Sequence, residues 1–87
     1  MPFERDDAGY RQWLRQNPNG FVLNYQVRSL GSDYLVLHRA TCRTIQPRPG
    51  RRWTFIYGKY CRPERRAVER WARAHGSGPA QPCAHCL

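Results

Sequence analysis

An 87-residue chain has room for one domain, and a domain of that size buries a modest share of its surface, so an internal staple matters to its stability. Three tryptophans, five tyrosines and three phenylalanines are enough to build a core, which excludes a chain disordered throughout, and no run approaches the roughly 20 apolar residues of a membrane span. The formal net charge of +9 comes from 15 basic and 6 acidic residues, with Lys59 the one base that is not arginine, and such an excess attracts polyanions.

In chain order, residues 7–17 read as a helix. Tyr10, Trp13, Leu14 and Asn17 recur at three- and four-residue spacing, while Arg11 and Arg15 fall on the other side. Asp6 and Asp7 suit the positive end of its dipole. Asn17-Pro18-Asn19-Gly20 ends it, because proline breaks the hydrogen-bond ladder and glycine permits the turn. Residues 21–29 alternate as a strand with Phe21, Leu23, Tyr25 and Val27 on one face. A turn at Gly31-Ser32-Asp33 leads to a second strand, Tyr34 to Arg39, and the short connection predicts an antiparallel hairpin. The apolar run in that second strand predicts burial on both faces.

Two prolines and a glycine in Pro47-Arg48-Pro49-Gly50-Arg51-Arg52 exclude regular structure, so residues 46–52 read as a basic loop projecting into solvent. Residues 53–60 read as a third strand, with Gly58 marking a bulge or a break. The second helix is expected over 63–75: Pro63 fits the first helical position, Glu64 favours the dipole and Gly76 supplies a stop. Its apolar face is Ala67, Val68, Trp71, Ala74 and His75, with Arg65, Arg66, Glu69, Arg70 and Arg73 outside. Residues 76–87 form an extended tail that bears the last two cysteines. No internal repeat or dividing linker is present. The expected fold is therefore a single α+β domain over residues 1–87: helix, antiparallel three-stranded sheet, helix, stapled by one structural zinc site.

That staple is read from the four cysteines. The first residues lack the apolar stretch of a secretory signal, which points to a cytoplasmic protein; thiols stay reduced there, so metal is favoured over disulfides. Zinc takes four ligands in a tetrahedron, and a C-x2-C pair brings two thiolates to one ion, the spacing of Cys83 and Cys86. Cys42 and Cys61 stand near strand ends, so Cys42, Cys61, Cys83 and Cys86 account for every cysteine with one zinc. His38, in an H-x3-C spacing with Cys42, is the alternative to Cys61. His85, inside the knuckle, is a strained third choice. A thioredoxin-like use of Cys83 and Cys86 requires a helix after the pair, and only Leu87 follows.

The bases suggest the partner. From Tyr34 to Pro63 there is no acid, while Arg39, Arg43, Arg48, Arg51, Arg52, Lys59 and Arg62 accumulate; Arg65, Arg66, Arg70 and Arg73 then line the second helix. Guanidinium groups bind two phosphate oxygens or a guanine edge, and Tyr57 and Tyr60 are candidates for base stacking. The expectation is a nucleic-acid-binding module, DNA ahead of RNA, with structural zinc, no catalytic residues and no membrane partner. One alternative is an adaptor that binds an acidic protein. Another is a small nuclease or toxin using His38 as its acid or base, although three histidines and no carboxylate cluster are a thin set for that chemistry.

Overall fold

The structure, a computed structural model, describes residues 2–26, 35–47, 52–55, 57–75 and 79–87. Among these residues it is an α+β domain of two helices and a five-stranded mixed sheet. The elements are β1 (Pro2–Phe3), α1 (Asp7–Gln16), β2 (Phe21–Gln26), β3 (Leu35–Arg39), a 3-10 turn (Arg43–Ile45), β4 (Tyr57–Arg62), α2 (Arg65–His75) and β5 (Gln81–Pro82). The strand order is β1-β4-β2-β3-β5. The three long strands pair antiparallel, as does β1 with β4, whereas β5 runs parallel to β3.

Alternation along the long strands divides the core in two. One row across the sheet is His38, Val22 and Cys61, since Val22 pairs with both of the others. Val22 and Cys61 of that row pack with Tyr10 and Leu14 of α1 and with Ile45 of the 3-10 turn. The next row, on the opposite face, is Leu37, Leu23 and Tyr60, and it packs with Val68 and Ala72 of α2. The sheet is thus covered by one helix on each side, which explains why both Val22 and Leu23 are fully buried.

Helix α1 lies close to expectation. Asp6 is its N-cap, accepting from Gly9 N at 2.9 Å, and Asn17 closes the other end through bonds from its backbone and side chain to Trp13 O. The Trp13 ring lies where a Cβ on Gly20 would stand, 2.6 Å from Cη2, so a larger residue there would displace it.

Several expectations are corrected. The sheet has five strands rather than three and is mixed; β1 and β5 are two residues each, too short to show a period in the sequence. The third strand expected at 53–60 is β4 at Tyr57–Arg62. Asp7 explains the shift: its carboxylate accepts from Trp53 N and from Thr54 N and Oγ1, at 2.6–3.1 Å, and so removes those backbone donors from the ladder. Thr54, fully buried, completes the clasp by accepting from Asp6 N at its Oγ1 and from Arg5 N at its carbonyl. The latter bond holds Arg5 at a φ of 56°, an unusual conformation for a residue with a side chain.

Gly58 is no break. It sits inside β4 beneath the ring of Tyr25, whose hydroxyl oxygen is 2.6 Å from where a glycine Cβ would be. Tyr25 reaches across to donate to Glu4 Oε2 at 2.6 Å. Helix α2 begins at Arg65 instead of Pro63, and Ala72 is buried where Ala74 and His75 were expected. Val27, the turn at 31–33, Tyr34, loop residues 48–51 and the Gly76 stop lie outside the described residues.

Candidate metal centre and charged surface

Strand β5 lies beside β3, and Cys83 N bonds to Leu37 O at 2.8 Å, so the tail places Cys83 next to the end of β3 where His38 stands. The chain leaving β3 turns back through Cys42, whose N bonds to Arg39 O. The result is a group of four: the ligand atoms of His38, Cys42, Cys83 and Cys86 all lie within 4.8 Å of one another, and such a group can hold a metal ion. His38, Cys42 and Cys83 are buried and Cys86 is half-buried.

Cys61, the expected fourth ligand, is not in the group, and His38 stands in its place. The register gives the reason. Cys61 is separated from His38 by Val22 of the intervening strand, a displacement of about 10 Å at the usual strand spacing. Its thiol lies in the core under α1, where burial pushes its pKa up to about 12. His85 is exposed and contributes its backbone N–H to Cys83 Sγ at 3.4 Å.

The chemistry of the donors suits a cation. Burial, with the charge of Lys59 and then of His85, holds the His38 imidazole down to about 4, which keeps the ring in the neutral form that coordinates metals. Burial opposes ionisation of Cys42, but hydrogen bonds from the Thr44 hydroxyl and backbone, and from Cys86 and Cys83, outweigh it and lower the thiol pKa. Burial pushes Cys86 up to about 11, despite an N–H from Arg39 at 3.3 Å. Thr44 Oγ1 lies 3.0 Å from Cys42 Sγ and 3.5 Å from His38 Nδ1, bracing two of the four donors.

The distances separate a metal group from a disulfide. Cys42 Sγ and Cys83 Sγ are 3.9 Å apart, nearly twice a sulfur–sulfur bond, and all four cysteines are free. A tetrahedron with metal–sulfur bonds of about 2.3 Å has an edge of about 3.8 Å. The sulfurs of Cys42 and Cys83 stand close to that edge length.

The expected nucleic-acid residues divide into three sets. Arg62, Arg65, Arg66, Arg70 and Arg73 are exposed along the end of β4 and α2. Arg65 pairs with Glu69 at 3.4 Å, and among the described residues no ion pair forms at the other four. Arg39 and Arg43 are also exposed; Arg39 Nε donates to Cys86 O at 3.0 Å while its guanidinium lies 5.8 Å from the Phe21 ring centre, so it ties the tail as well as facing water. Arg52 is exposed and lies over the ring of Phe55 at 4.9 Å. Arg48 and Arg51 lie outside the described residues.

Lys59 is a correction. It is 2 % exposed, and its ammonium donates to Asn24 Oδ1, Trp53 O and Tyr57 O at 2.5–3.1 Å, so it is an internal strut and unable to meet a phosphate. Burial brings its pKa down to about 8. Tyr60 is likewise buried, stacked on Trp71, while Tyr57 is exposed. Ile45 and Trp53 pack in the cluster under α1, whereas Val68 and Ala72 of α2 pack on the opposite face of the sheet.

Sequence reasoning missed Thr44, Asp7 and the pairing of Trp71 with His75. Only the last had a visible signal, an aromatic and a histidine four residues apart on one helix face. Among the described residues, no helix is long and apolar enough to cross a membrane. No protein-family model matches the chain, nor does any curated protein or solved structure.

Proposed function

We propose that His38, Cys42, Cys83 and Cys86 hold one structural zinc ion, and that the domain so stapled binds nucleic acid, DNA ahead of RNA. Three thiolates and an imidazole are a soft donor set, which favours zinc over magnesium or calcium. All four positions of the tetrahedron are filled by protein, leaving none open for substrate or water, as in a structural site. When bound, the ion ties β3, the turn after it and the tail into one unit.

The observation that carries the binding reading is the run of five exposed arginines from Arg62 through Arg73, which outnumber Glu64 and Glu69 and of which Arg65 alone forms an ion pair among the described residues. A fold gains nothing from placing like charges together in water, whereas a polyanion relieves their repulsion and releases counterions on binding. Arg43 and Arg52 extend the positive surface elsewhere. His38, the acid or base that a nuclease would need, lies within the metal group, which disfavours that reading.

The test is native mass spectrometry of the purified protein with and without a strong chelator, followed by titration with short oligonucleotides over a range of salt. One zinc per chain, and an affinity that falls steeply with salt, are the expected results. Zinc with no oligonucleotide complex at low salt overturns the nucleic-acid reading in favour of an adaptor for an acidic protein. An intact, folded chain free of metal overturns the zinc.

A further inference from the structure

The arginines of α2 border a stack of rings. Trp71 lies on Tyr60 with centroids 4.3 Å apart and planes inclined by 12°, and His75 lies on Trp71 at 4.5 Å and 18°. Tyr25 closes the inner side at 5.2 Å, tilted by 44°. The stack is anchored at its inner end, since Tyr60 is buried, and reaches water at its outer end, where His75 is exposed. His75 is fixed as well as stacked: its Nδ1 is 3.0 Å from Trp71 O, to which only an N–H can donate.

A cavity of about 270 Å3 opens beside these rings, lined by Tyr60, Arg62, Arg70, Trp71, Ala74 and His75 among others. Arg62 and Arg70, of like charge, line it together with the rings, and no carboxylate does. The arrangement continues along the sheet. Phe21 pairs with Arg62 on one side and with Arg39 on the other, and the Arg39 guanidinium lies over its half-buried ring. Arg62 therefore stands between two aromatic surfaces, each with an arginine of its own.

Resting on the nucleic-acid reading above, we infer that this side of the domain binds single-stranded DNA, with one base on the outer face of His75, which Trp71 and Tyr60 support from beneath, and phosphates held by Arg62 and Arg70. Rings that alternate with cations match a chain in which bases alternate with phosphates. A duplex presents no free base faces, because its bases stack on one another, and would have to extrude one to use the cavity.

The test titrates the metal-loaded protein with strands of roughly a dozen nucleotides, within the usual footprint of single-strand binders: oligo-dT, an abasic strand of equal charge, oligo-U and a DNA duplex. Trp71→Leu removes the ring on which His75 rests, Trp71→Phe restores a flat one, and His75→Ala removes the exposed end of the stack, where folding is not at stake. Oligo-dT is expected to bind tighter than the abasic strand, and Trp71→Leu to weaken oligo-dT by about 5- to 100-fold, with Trp71→Phe recovering much of it. His75→Ala is expected to weaken oligo-dT while leaving the abasic strand unchanged. Equal binding of oligo-dT and the abasic strand by the unmodified protein overturns the inference, and so does preference for the duplex, while both leave the nucleic-acid reading standing. Oligo-U bound as tightly as oligo-dT overturns the assignment to DNA. Failure of all four to bind removes the nucleic-acid reading itself.

Discussion

Under α1, polar side chains are turned inward and partnered: Lys59 on three oxygens, Asp7 on the 53–54 backbone, and His38 beside Thr44 and the thiols. Over α2 the opposite holds, and Arg62, Arg65, Arg66, Arg70 and Arg73 stay in water. Burying a polar group costs free energy unless its partners are in place, so the inward set must hold the fold together. Solvated charges of one sign contribute little to the fold. The two faces of one sheet are therefore expected to be separable by mutation, one governing stability and the other the proposed binding.

The largest effect is expected at the metal. Structural zinc in small domains contributes about 10–16 kcal/mol, as much as the whole stability of a domain this size. Cys83→Ser, or chelation of the native protein, should abolish the cooperative melt followed by circular dichroism. A variant that melts like the native protein would mean that the group of four does not stabilise the fold.

An intermediate effect is expected at the clasp. Asp7→Ala removes a charged acceptor from Trp53 N, Thr54 N and the Thr54 hydroxyl, and should cost about 1.5–3 kcal/mol in urea unfolding. Its affinity for oligonucleotides should not change. A loss of affinity equal to that of an arginine variant would erase the division between the faces.

Smaller still is the expected cost at Cys61. Cys61→Ala should lose about 1 kcal/mol from a slightly emptier core and keep one zinc per chain by native mass spectrometry, whereas His38→Ala should lose the ion. Loss of zinc from the Cys61 variant would restore the four-cysteine site. At the bottom of the scale, Arg66→Gln with Arg73→Gln should leave the melting curve in place while the salt slope of nucleic-acid binding falls by about 2.

Much of the fold was legible because it rests on local patterns. The spacing of Tyr10, Trp13 and Leu14, the acids Asp6 and Asp7 at the positive end of the dipole and the stop at Asn17-Pro18 place α1 within a residue of its observed end. The alternation of Phe21, Leu23 and Tyr25 gave the face that meets α2. The third strand was misplaced because the donors of Trp53 and Thr54 go to Asp7, some 46 residues away in sequence, and no local window contains that partner. Lys59 shows the same limit: a lone lysine among arginines reads as one more base until its three acceptors surround it.

The site divides along the same line. Sequence by itself determined that Cys42, Cys83 and Cys86 were metal-ligating candidates, because thiols at C-x2-C spacing reach one ion through a tight turn, and that the acid-free middle of the chain would be cationic. Only the tertiary structure decided between His38 and Cys61, which share a face and a row of the sheet. The tail adds to the edge of β3, and β2 intervenes on the way to β4, so which of the two joins the group of four follows from strand order, a property that no spacing within the chain records.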